Sequence, residues 1–249
     1  YDIANIFLES GMIVYTRGRN PHQNKNYYAN KDANDVISEP LIILANEGAA
    51  SGSEIVVGAI KDNNRGLIVG EKTFGKGLVQ SVYPFRRLPQ TNAGVAITTA
   101  KYYTPSGVCI QDTGIFPDFE IKPQTLSDTE VEGLQKFYQK DYALTFVRKH
   151  PVYNEDAFNE LLEELKKEGI IIRRELILAN IKEQYAREKS EHYFADLDTD
   201  EVLRKSITLF DDYEKNMERA KIERKLPKKN NDDAKEKEKS SNKSSRKKR

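Results

Sequence analysis

Two short segments hold the residues best suited to chemistry. Residues 46–54 read NEGAASGSE and residues 70–77 read GEKTFGKG. The first lies between a continuous apolar run at 41–45 and a stretch with helical spacing. Ser51 is therefore expected at a strand-to-helix turn, where the first free amides of the helix can hold a developing negative charge. A serine so placed needs a base. The three histidines are poorly sited: His22 sits in an Asn-rich stretch, and His150 and His192 lie in a highly charged helical half. A Ser-His-Asp arrangement is unsupported, whereas Ser51 with Lys76 matches an accepted Ser-Lys variant.

Lys76 invites two other readings. GEKTFGKG is one letter from G-x-x-x-x-G-K-[ST], the loop that cradles nucleotide phosphates, but that loop needs Ser or Thr after the lysine and a helix starting there. Gly77 follows instead, and residues 78–83 alternate as a strand does, so nucleotide binding is excluded. The plainer reading is a tight turn carrying a solvated lysine. To act as a base, the amine must shed its proton below its ordinary pKa of about 10.4, which burial in an apolar pocket can bring about. Gly75 and Gly77 would let the backbone turn sharply, with Phe74 and Leu78 excluding water. Gln80, two alternations into the strand on the side of Leu78, can accept an amine hydrogen bond without adding charge. Ser53 competes with Ser51 as nucleophile, but each helical step rotates the side chain by about 100°. Glu54 is expected to complement the helix N-terminus, Asp62 to be solvated or ion-paired late in that helix, and residues 102–105 to form core and turn.

The elements that must position these groups divide the chain of 249 residues into unlike parts. Hydrophobic residues make up 38% and charged residues 32%, and mean hydropathy is -0.71, so the polarity must be segregated. Up to residue 122, strands at 12–16, 41–45, 67–69, 78–83 and 94–100 alternate with a helix over 51–64, which argues for a layered α/β core. Residues 17–34 lack a steady period and are expected to be an exposed loop. The run at 41–45 fits a strand covered on both faces. Ile3, Ile6 and Phe7 share one helical face; the chain opens without Met and in mid-pattern, as the later part of a longer protein would. From 123 to 224 the texture is charged and helical (130–150, 155–168, 171–190, 199–224), an appendage packing by narrow stripes such as Leu161, Leu162 and Leu165. The tail, 225–249, carries eleven Lys or Arg against four Asp or Glu and no run of apolar residues, so it is expected to be disordered. No apolar run approaches the roughly 18 residues of a membrane span. Cys109, the single cysteine, excludes an intramolecular disulfide and a Cys-cluster metal site.

Taken together, PLIILANEGAASGSEIVVGAIKDNNRGLIVGEKTFGKGLVQSVYP, ITTAKYYTPSG and GIFPDFEI resemble the carboxyl-terminal processing peptidases, or tail-specific proteases, over about residues 2–121. The resemblance implies a crotonase/ClpP-like core whose early part lies upstream of Tyr1, and a Ser-Lys serine endopeptidase. The family's nucleophile falls on Ser51, its general base on Lys76, its glutamine on Gln80 and one oxyanion amide on Gly52. Ala49 and Gly52 depart from the usual GSASASE motif without removing a catalytic group. The resemblance further implies polypeptide substrates with unstructured C-termini, no cofactor or metal, and a location outside the cytoplasm in the periplasm or cell envelope. Peripheral membrane association and homo-oligomerisation are left open. Two rivals stand beside this reading: a non-catalytic peptide-binding scaffold keeping the fold, and nucleic-acid binding through the basic tail. The tail's charge suits the latter, but it has no aromatic residues for stacking, so no nucleic-acid partner is expected.

Overall fold

The computed structural model describes residues 1–30, 36–85, 93–191 and 196–225. His192, the last part of the 17–34 segment and the tail from residue 226, with the disorder expected of it, lie outside the described residues. The strands are β1 (Met12–Gly18), β2 (Lys25–Tyr28), β3 (Ile42–Ala45), β4 (Leu67–Gly70), β5 (Leu78–Pro84), β6 (Gly94–Tyr103) and β7 (Phe119–Glu120). The helices are α1 (Asp2–Asn5), α2 (Gly52–Asp62), α3 (Asp128–Gln139), α4 (Tyr142–Lys149), α5 (Glu155–Lys167), α6 (Arg174–Glu188), α7 (Glu201–Ile207) and α8 (Tyr213–Lys225).

The strands form two sheets, one antiparallel in the order β2-β1-β6-β5 and one parallel in the order β3-β4-β7. Helix α2 is the crossover that makes β3 and β4 parallel. Its Val57, Ala59 and Ile60 pack with Ile13 and Val14 of β1 and Ile68 of β4 in one core cluster. On the other face of the parallel sheet, Leu67 and Val69 meet Met217 and Ala220 of α8. Period-two alternation along β4 sends Ile68 one way and Leu67 and Val69 the other, which is why the whole strand is buried. Each such side chain contributes about 1.5–3 kcal/mol. The two-sided cover expected at 41–45 is thus realised in β4, whereas Leu44 of β3 is 40% exposed.

Three expectations fail for physical reasons. Within 17–34, residues 25–28 are a strand paired to β1 rather than loop; as a polar edge strand it shows little burial alternation. At the start, the buried positions are Ala4 and Leu8, while Ile3 and Ile6 face solvent, because α1 is only four residues long. The helical pattern at 130–150 splits into α3 and α4 at Asp141, which takes a left-handed conformation (φ 50, ψ 39) with neither Gly nor Pro to announce it.

The helical half is two different things. Helices α3 to α6 share a cluster of their own, with Phe137, Phe146, Phe158, Leu161, Leu165, Ile177 and Ile181 at its centre. Helix α8 instead joins the sheet core. Arg224, 10% exposed at its side chain, donates through Nη1 to Lys61 O at 2.7 Å and Asn64 Oδ1 at 3.0 Å. Its Nη2 reaches Gly66 O at 2.9 Å and its Nε reaches Asp118 Oδ1 at 2.9 Å. The Tyr213 hydroxyl sits 3.1 Å from the backbone nitrogen and oxygen of Leu41.

Candidate active site

Ser51 occupies the turn between β3 and α2 with φ 57 and ψ -113, outside the ordinary regions for a side-chain-bearing residue. Such a conformation costs about 1–3 kcal/mol and persists only where the surroundings over-determine it. Strain at a strand-to-helix turn is how a serine hydroxyl is lifted clear of a sheet edge, and Ser51 is exposed. Gly52 opens α2, and a Cβ built there would meet nothing within 4 Å. There is open room beside the amide expected to contribute to an oxyanion site.

The surroundings that fix this turn centre on Glu54, which is fully buried. Its Oε2 accepts from the Ser51 amide at 3.0 Å and from the Lys76 amide at 2.8 Å. Its Oε1 accepts from the Thr73 hydroxyl at 2.6 Å and the Gly75 amide at 2.8 Å. A single carboxylate oxygen therefore joins the backbone of the serine turn to the backbone of the lysine loop. A further bond, Phe74 N to Ala49 O at 3.0 Å, runs between the same two segments. Glu54 does complement the helix N-terminus, as its position suggests, but the larger part of its work is done with residues 19 to 22 positions away. Thr73 extends the tie: its hydroxyl accepts from the Ile115 amide at 2.8 Å.

The glycines around Lys76 serve two distinct needs. Gly75 has φ +93, open to glycine at little cost, and a side chain there would press on Gly114 N. At Gly77 a Cβ would stand 2.5 Å from Gln111 N, so glycine is required by close approach rather than by φ. The Gly77 amide donates to Gln111 Oε1 at 2.9 Å, and Tyr102 N donates to Gly77 O at 2.8 Å.

The dry pocket expected around the lysine is not what the structure shows. Lys76 and Ser51 are both exposed, and Phe74, expected to exclude water, is 66% exposed. Gln80 is exposed as well, and its Nε2 donates to Thr98 Oγ1 at 2.6 Å across β5 and β6. The β5–β6 register slips between Val79 and Gln80, the kind of irregularity that re-aims a side chain. Ser53 lies one step into α2 and is exposed. Asp62 is neither merely solvated nor ion-paired: its carboxylate accepts from the Ser106 amide at 2.8 Å, tying the end of α2 to the turn after β6. His22 is in a short 3-10 turn, and His150 caps the end of α4 with its ring tilted against Phe146, centroids 4.9 Å apart. Among the described residues no group of His, Cys, Asp or Glu could hold a metal ion.

Beside the serine turn lies a cleft of about 350 Å³ at the carboxyl ends of the parallel strands. Leu44, Ala49, Gly70 and Ile121 line it together with Asp200 and Val202 from the start of α7.

Comparison with known proteins follows the same division of the chain. Residues 1–121 match the model of peptidase family S41. The chain is similar to the carboxyl-terminal-processing protease of Synechocystis sp., 43% identical over 130 residues that cover 52% of this chain and 29% of that protein. It is also similar to the chloroplastic C-terminal processing peptidase of Tetradesmus obliquus, 45% identical over 45% of this chain and 23% of that protein. Among solved structures, a photosystem II D1 C-terminal processing protease is 38% identical with a TM-score of 0.43, covering 54% of this chain and 33% of that one. The chain spans less than a third of the length of the curated relatives it matches.

Proposed function

We propose, from the match of residues 1–121 to the model of peptidase family S41, that this chain supplies the Ser-Lys site of a serine endopeptidase. The site acts on polypeptides near unstructured C-termini, outside the cytoplasm. Ser51 Oγ attacks the scissile carbonyl while the neutral Lys76 amine takes its proton and passes it to the leaving amine. The Gly52 amide helps hold the oxyanion, and Lys76 then activates a water that releases the acyl group. Gln80 orients the amine through its carbonyl oxygen, the end of the amide opposite the Thr98 bond. The water exclusion that Phe74 does not supply comes with the substrate, whose chain covers the exposed turn and enters the neighbouring cleft. The core carrying this site is of the crotonase/ClpP type.

The observation that carries the reading is the Glu54 oxygen shared by the Ser51 and Lys76 amides. It brings two segments twenty-five residues apart into one small structure, with the nucleophile in a strained conformation. The test is cleavage of an unstructured polypeptide. Ser51→Ala and Lys76→Ala are each expected to lower turnover by at least about 10⁴-fold, with no further loss in the double variant, because such residues act as a unit. Cleavage by Ser51→Ala at the parent rate would refute the assignment.

A further inference from the structure

The outer face of the antiparallel sheet carries a row of cations beside the proposed catalytic strand. Arg17 stands opposite Lys101 across β1 and β6, and Lys101 stands opposite Leu78 across β6 and β5. Directly opposed residues share a face, and like charges so placed destabilise a sheet. Arg17, Arg19 and Lys101 are all exposed, and among the described residues none of them pairs with a carboxylate within the 4.0 Å ion-pair distance. The fold thus maintains an unfavourable juxtaposition that nothing else in the described chain neutralises.

Arg17 is also held in place. Its guanidinium lies 4.4 Å over the Tyr15 ring, and Tyr15 stacks on Tyr103 with centroids 5.1 Å apart. Its Nη1 donates to Thr16 O at 2.8 Å and Asn26 Oδ1 at 3.0 Å. A guanidinium has five donors, so several remain for a ligand. With Arg19, Lys101, Leu78 and Thr98 it lines a shallow cleft of about 420 Å³, and Thr98 is the residue that binds Gln80.

We propose that this row is a carboxylate subsite for the polypeptide substrate, resting on the peptidase reading above. The carboxylate is either an acidic side chain or the free C-terminus. Leu78 is two residues from Lys76, and an extended chain rises about 3.4 Å per residue. The carboxylate it receives therefore belongs about two or three residues from the scissile bond. An anchored arginine beside an exposed lysine suits that group, since charge-assisted hydrogen bonds to carboxylates are the stronger kind.

The test uses the full chain carrying Ser51→Ala and four fluorescent peptides of one sequence. They differ only as Glu or Gln near the C-terminus and as free acid or amide at it. A carboxylate-bearing peptide is expected to bind roughly tenfold more tightly than its neutral counterpart. Which of the two substitutions removes the advantage identifies the source. The advantage should vanish in Lys101→Gln and in Arg17→Gln, two independent exposed variants. Equal binding by all four peptides, or an advantage that survives both variants, overturns the proposal. So does a preference for a DNA oligonucleotide over every peptide. Because binding is read in the Ser51→Ala protein, a carboxylate advantage there together with no cleavage of an unstructured polypeptide by the parent protein, Ser51 intact, would refute the catalytic reading and leave the subsite standing. Cleavage without any carboxylate preference would do the reverse.

Discussion

Glu54 and Asp118 are both buried carboxylates, and they are satisfied in opposite ways. Glu54 takes four uncharged donors, the amides of Ser51, Gly75 and Lys76 and the Thr73 hydroxyl. Asp118 takes Arg224 and Lys61 as well as the Ile68 amide. The neutral donors are mostly main chain, so Glu54 fixes where backbone runs next to the proposed reacting groups. The cationic donors are side chains, one of them 106 residues away, so Asp118 works as a cross-link between the sheet core and α8. Damage to the first should appear in turnover. Damage to the second should appear in stability.

The largest effect is expected at the cross-link. Arg224→Met leaves the Asp118 carboxylate buried without its main partner and should destabilise the protein by about 3–5 kcal/mol, read as a lowered denaturant midpoint. Adding Asp118→Asn should recover part of that loss, since the uncompensated charge is gone. If the double variant is no better than the single one, the ion pair is not what holds α8. Glu54→Gln should cost less stability, about 1–3 kcal/mol, because an amide nitrogen replaces one acceptor facing backbone N–H groups. Its turnover should fall by more than Arg224→Met lowers it when both are assayed where they are fully folded. Equal falls would erase the distinction drawn between the two carboxylates.

The smallest effect is the dependence on pH. Burial alone would raise the Asp118 carboxyl, but hydrogen bonds and charge from Arg224 and Lys61, with the Ile68 amide, outweigh it and hold the group below its ordinary value. A carboxyl depressed in the folded state adds stability that is present above its unfolded pKa of about 3.9 and is lost as pH falls through the folded value. Stability should therefore decline as pH drops below about 4, and the decline should be shallower in the Asp118→Asn, Arg224→Met double variant. An unchanged profile would show that the depression does not contribute.

The contrast also explains what was legible in the sequence. Ser51, Gly75 and the start of α2 could be placed from local patterns, because turns, glycines and helix starts are decided within a few residues. The role of Glu54 was half visible: its position near a helix start showed that it complements the helix N-terminus, but the bonds to 73–76 depend on how two segments fold together. Arg224 gave no local sign at all. Helix α8 buries only Met217 and Ala220, too few for a recognisable stripe, and its anchoring is a long-range polar contact. The exposure of Lys76 agrees with the plainer reading of a solvated turn lysine and not with the buried base; local pattern did not decide between the two, since Gly75 and Gly77 reveal a turn without revealing what covers it.

The central claim is that Ser51 and Lys76 form one reactive pair. It is tested most directly by treating the protein with a fluorophosphonate and mapping the modified residue by mass spectrometry. Labelling is predicted on Ser51 and should be lost in Lys76→Ala, with the Lys76→Ala protein still folded by circular dichroism. Labelling on Ser53, or labelling of Ser51 at an undiminished rate without Lys76, would contradict the account.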